Sequence, residues 1–79
     1  MKREELQQCL IDANVPKDLY ALNGGLPNEA LCLNSDGEIW EVYYSERSIK
    51  SQIKKFDSED KACNYFYKTV FKLLGNLHN

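Results

Sequence analysis

Apolar residues recur along this chain with two different periods, and the switch between them marks its elements. Over residues 2–14, Leu6, Cys9, Leu10 and Ala13 fall at helical spacing, and Glu4 and Glu5 stand in the first turn, where the helix dipole favours negative charge. The spacing predicts a short amphipathic helix, ended at Asn14, Val15 and Pro16 because proline lacks the needed donor and restricts the residue before it. Residues 19–22 read as a short strand. Asn23 to Asn28 is the densest turn signal, with the adjacent glycines Gly24 and Gly25 permitting positive φ. Residues 29–34 read as a second strand, Ser35, Asp36 and Gly37 as a hairpin turn, and residues 38–46 as a longer strand rich in β-formers. After a connector at residues 47–50, residues 51–56 alternate weakly, with Ile53 and Lys55 on one side and Lys54 and Phe56 on the other. This is the pattern of an edge strand whose lysines discourage open-ended pairing. Asp57 or Ser58 caps a final helix, residues 58–77, with Glu59 and Asp60 in its first turn.

The last helix carries two adjoining stripes, Ala62, Phe66, Val70, Leu73 and Leu77 beside Cys63, Tyr67, Phe71 and Leu74, so it must cover a sheet face and touch the first helix. Gly75 offers an earlier stop that would leave residues 76–79 frayed. The expected architecture is α+β: a short N-terminal helix, a four-stranded antiparallel meander and a long C-terminal helix packed on the sheet, all in one domain spanning 1–79. A hairpin loop with an even number of residues puts Leu31, Leu33, Trp40, Val42 and Tyr44 on the core face. Cys32, Asn34, Ile39, Glu41, Tyr43 and Ser45 then form a solvated or partner-facing reverse side. A three-residue loop would invert one strand of this assignment.

Seventy-nine residues allow one small domain, and 43% hydrophobic with 28% charged residues is ordinary globular usage, so disorder is not expected. Ten basic against twelve acidic side chains, net −2, lack the surplus that phosphate-backbone binding requires, which argues against direct nucleic-acid binding. No apolar run approaches membrane-spanning length and no apolar leader follows Met1, so a cytoplasmic protein without a membrane partner is expected. The three cysteines, Cys9, Cys32 and Cys63, form no CxxC pair, and the single histidine is His78, so neither a disulfide framework nor a metal site is expected. The glycine turn has neither a GxxxxGK[ST] nor a GxGxxG spacing and precedes a strand, so it is not a phosphate loop. Glu41 and Glu46, five positions apart on one strand, point to opposite faces and do not form an acid–base pair. Glu29 can approach Tyr44 across the hairpin. No constellation for catalysis, cofactor binding or metal binding emerges, and an enzyme is not expected.

Charge distribution is more informative than net charge. Residues 1–46 carry three basic and nine acidic side chains, net −6, whereas residues 47–79 carry seven basic and three acidic, net +4. An acidic, tyrosine-bearing surface is a good complement for a basic partner, since opposite fields speed encounter and tyrosine is a favoured anchor.

Three segments carry a family resemblance. They are Tyr20-Ala21-Leu22-Asn23-Gly24-Gly25 with Pro27, Asn28, Glu29, Ala30, Cys32 and Leu33; Trp40-Glu41-Val42-Tyr43-Tyr44-Ser45-Glu46-Arg47 with Lys50; and Phe56, Glu59, Ala62, Cys63, Tyr65 and Phe66. Over residues 19–67 the chain resembles small bacterial α+β immunity proteins of polymorphic toxin and contact-dependent growth inhibition systems. It departs from their pattern at Ser48, where glycine is usual, which weighs against a tight turn there. The resemblance implies a cytoplasmic protein that binds a cognate toxin domain and blocks it without catalysis. It assigns no contact residues. The physical reading supplies Glu29, Glu41 and Glu46 to face basic toxin residues, Tyr43 at the centre and Arg47 at the rim, a charge logic that suits a nuclease toxin. The competing expectation is a structural or assembly module that homodimerises through the 51–56 edge or the tyrosine-bearing face.

Overall fold

A computed structural model describes residues 1–77 of the chain. Helix α1 (Arg3–Asp12) is followed by a single 3-10 turn (Lys17–Leu19), the strands β1 (Tyr20–Ala21), β2 (Ala30–Asp36), β3 (Ile39–Glu46) and β4 (Ile49–Phe56), and helix α2 (Glu59–Leu77). The sheet order is β1-β2-β3-β4. The fold is therefore α+β with a long C-terminal helix on a four-stranded sheet, as the periodicities predict.

The β2–β3 hairpin closes through Gly37 and Glu38, with Asp36 opposite Ile39 and Leu33 opposite Val42. Gly37 has φ +66, the positive angle that a two-residue hairpin turn requires at its first position. The even loop sets the facing: Leu31, Leu33 and Val42 join Leu6, Leu10, Val15, Ala62, Cys63, Phe66 and Val70 in one buried core. Of the predicted stripes on α2, Ala62, Cys63, Phe66 and Val70 are fully buried while Phe71 is 38% exposed. The helix does not stop at Gly75 but runs to Leu77. Its N-cap is Ser58, whose Oγ accepts the Lys61 N–H at 3.2 Å. Glu59 at the start of α2 also accepts the Arg3 N–H at 2.8 Å, so one carboxylate serves the positive ends of both helices.

Three expectations are corrected. The sheet is mixed, because β1 pairs with β2 in parallel, Tyr20 with Leu31 and Ala21 with Cys32. A parallel pair cannot be joined by a hairpin, and residues 22–29 instead return as a strap across the reverse face of the sheet. The connector expected at residues 47–50 is a two-residue turn, and β4 starts at Ile49. Arg47 (φ +53) and Ser48 (φ +64) both adopt the left-handed region without glycine, so the departure at Ser48 does not abolish the tight turn.

The third correction concerns the reverse face, which is not generally solvated. Ala30, Cys32, Tyr43 and Ser45 are at most 2% exposed. The strap covers them and is tied down by their polar groups: Tyr43 Oη donates to the Gly25 carbonyl at 2.6 Å, and Ser45 Oγ donates to the Pro27 carbonyl at 2.6 Å. Gly24 N–H donates to the Leu33 carbonyl at 2.9 Å. Gly24 has φ +73, and a Cβ there would stand 2.6 Å from Asn34 Oδ1, so the close approach demands glycine.

Candidate functional site

The residues proposed from sequence divide into two groups once folded. Glu41 and Tyr43 belong to the reverse face and are used internally. Glu41 accepts from Asn34 Nδ2 at 3.2 Å and is ion-paired with Lys50 Nζ at 3.2 Å. Burial alone would raise its carboxyl, but the hydrogen bonds from Asn34 and Lys50, with the charges of Lys50 and Lys55, hold it below its ordinary value. Lys50 Nζ also lies 4.5 Å from the centre of the Tyr43 ring. Tyr43 is 1% exposed. Its phenol is pushed up to about 12, by burial first and then by the neighbouring Cys32 thiol. Tyr43 therefore cannot be the exposed centre of a contact surface; it fixes the strap from beneath.

The second group comes together at one end of the sheet. Ala30 pairs with Ser45, so Glu29, just before β2, and Glu46, the last residue of β3, stand at the same end of the sheet. Both are exposed, as is Arg47 in the adjoining turn. Glu29 leaves the strap at φ +54. The Arg47 N–H donates to Asn28 Oδ1 at 3.3 Å, which links the strap to the β3–β4 turn and holds the two loops side by side. Tyr44 lies half-buried between them on the core side of the sheet, and its phenol is raised by burial first and then by the charges of Glu29 and Glu46. The expected approach of Glu29 to Tyr44 is thus realised. Neither Glu29 nor Glu46 forms an ion pair among the described residues.

Sequence reasoning missed Asn28 and Ile49 as parts of this end. Ile49 pairs with Glu46 and is 66% exposed. Together Glu46, Arg47, Ile49 and Ser51 line a shallow groove of about 260 Å³. The signal for Ile49 was present, as an apolar residue of a β-type pattern next to the turn, but the missing glycine at Ser48 hid the turn.

Glu41 and Glu46 lie on opposite faces, as their spacing dictates. Among the described residues no three His, Cys, Asp or Glu side chains gather in a way that holds a metal ion. Cys32 and Cys63 are buried, and burial raises both thiols, that of Cys63 to about 11, which suppresses the nucleophilic thiolate. The expectation about His78 lies outside the described residues. No described helix is long and apolar enough to cross a membrane. No protein-family model, curated protein or solved structure gives a significant match to this chain.

Proposed function

We propose that this chain is a cytoplasmic immunity protein that neutralises a cognate toxin domain by covering its active or substrate-binding site, without catalysis. The observation that carries the reading is the gathering of Glu29 and Glu46 at one end of the sheet, both exposed and neither neutralised by an ion pair among the described residues. Two carboxylates gathered at one end of a sheet repel one another. A basic partner surface relieves that repulsion, so the same feature that costs folding stability favours binding. Arg47 stands at the rim, and Tyr44 and Ile49 supply contact area beside the carboxylates. Tyr43 and Ser45 act indirectly, by pinning the strap that presents Glu29.

A nuclease toxin, whose substrate channel is basic, is the class this surface fits best. The test is capture of the C-terminal segment of the protein encoded immediately upstream, which on this reading is a large toxin. Purified chain is expected to bind it, more slowly as salt is raised because the encounter is steered by charge. Absence of binding removes the proposal.

A further inference from the structure

We propose that the outer edge of β4 is a strand-acceptor site for an extended, acidic segment of a partner protein. β4 closes the sheet order, and every residue from Ile49 to Lys55 is exposed, so no described part of the chain covers this edge. In an antiparallel pair the backbone groups of an outer strand alternate between the neighbour and the outside, which leaves a row of donors and acceptors free for a new strand. The edge carries Lys50, Lys54 and Lys55 and no carboxylate. Lys50 is already paired with Glu41, whereas Lys54 and Lys55 form no ion pair among the described residues. Exposed Ile53, 46% accessible, adds apolar area on the same side of the sheet as Lys55.

The charge row chooses the occupant. A second copy of the chain, paired antiparallel about the centre of β4, would set Lys50 against Lys55 and Ser51 against Lys54, a like-charge contact that disfavours self-pairing in that register. An acidic strand meets the opposite sign at Lys50, Lys54 and Lys55. The register shift between Val42 and Tyr44, with Gln52 at φ +53, bends the edge and divides it into two short pairing segments on either side of Gln52. A ligand strand must accommodate that bulge, which adds selectivity. Lys54 and Lys55 lie toward the end of β4 remote from Glu46, which pairs with Ile49, so this surface goes beyond the acidic end and is separable from it by mutation.

The probe is a capped ten-residue peptide alternating valine and glutamate, added to about 1 mM to the isotopically labelled full chain, with the valine–lysine peptide as control. Amide shifts and slowed hydrogen exchange confined to Ile49–Phe56 and its β3 neighbours are expected with the glutamate peptide and not with the lysine peptide. Lys54→Glu/Lys55→Glu, both at exposed positions, is expected to weaken binding about tenfold while the remaining spectrum keeps its folded dispersion. The proposal is overturned if no β4 amide responds, if the lysine peptide binds equally, if the double variant binds as well as the natural chain, or if the chain alone pairs through β4. No toxin takes part, so failure here is distinguishable from failure of the immunity reading.

Discussion

Individual side chains in this protein trade stability against presentation. Glu29 and Glu46 share one end of the sheet without a neutralising ion pair among the described residues. Replacing Glu46 with glutamine is therefore expected to raise stability by a few tenths of a kcal/mol, the scale of interactions between exposed charges, while slowing association with the proposed toxin. Denaturant melts and stopped-flow binding check both signs, and a variant that is less stable or binds unchanged contradicts the assignment. Ser48 and Gln52 occupy the left-handed region at φ +64 and +53. Ser48→Gly is expected to stabilise by about 0.5–1 kcal/mol, the left-handed cost of an L side chain less the extra chain entropy of glycine. Equilibrium unfolding measures this. Gly24→Ala has the opposite sign, because the new Cβ would collide with Asn34 Oδ1 and disturb the Asn34–Glu41 hydrogen bond.

At the scale of elements, the strap is the least conventional part of the fold. Tyr43→Phe removes the hydroxyl that holds the Gly25 carbonyl and is expected to cost about 1 kcal/mol, with faster exchange of the Gly24 amide as the strap loosens. Native-state hydrogen exchange reads this, and an unchanged Gly24 amide would show that Tyr43 does not pin the strap. The hairpin and α2 were legible because each carries a clean period over many residues, 2 for Leu31, Leu33, Trp40 and Val42 and 3.6 for Ala62, Phe66 and Val70. β1 has only two residues, too few to reveal its direction, so the turn signal at Asn23–Asn28 read as a hairpin rather than a crossing. The reverse face was misread for a related reason. Cys32, Tyr43 and Ser45 are mixed in polarity, and alternation alone cannot show that hydroxyls will be satisfied by strap carbonyls. Of the candidate site, Glu29, Glu46 and Arg47 were legible as charges near turns. Their meeting depends on the strap, which brings Glu29 to the sheet end where Glu46 and Arg47 stand.

Across the whole molecule, the lopsided charge of the sequence falls on different elements. The charged residues of β4 are all lysines, and α2 adds Lys61, Lys68 and Lys72 behind Glu59 and Asp60, whereas α1 carries Glu4, Glu5 and Asp12 against Arg3 and lies beside the β1 region across a groove lined by Arg3, Glu4, Gln7, Tyr20, Leu22 and Asn23. Two buried groups set the alkaline limit of stability. Tyr43 and Cys63 have folded values of about 12 and 11 against ordinary values of 10.0 and 9.0, so the folded state holds protons that the unfolded chain releases. Their contribution is fully present below pH 9 and is lost as pH rises from about 9 to 12. Glu41 acts in reverse: its value lies below the ordinary 4.5, so its contribution is full above that pH and is lost as the pH falls through its folded value. Thermal melts across pH are expected to show a plateau between these limits, with a late phenol titration by ultraviolet absorbance that disappears in Tyr43→Phe.

The most direct measurement is growth of cells producing the C-terminal segment of the upstream-encoded protein together with this chain. The natural chain is expected to restore growth, and a folded Glu29→Lys/Glu46→Lys variant is expected to lose that protection while Lys68→Glu, on the exposed side of α2, retains it. Failure of the natural chain to protect, or full protection by the double variant, would contradict the account.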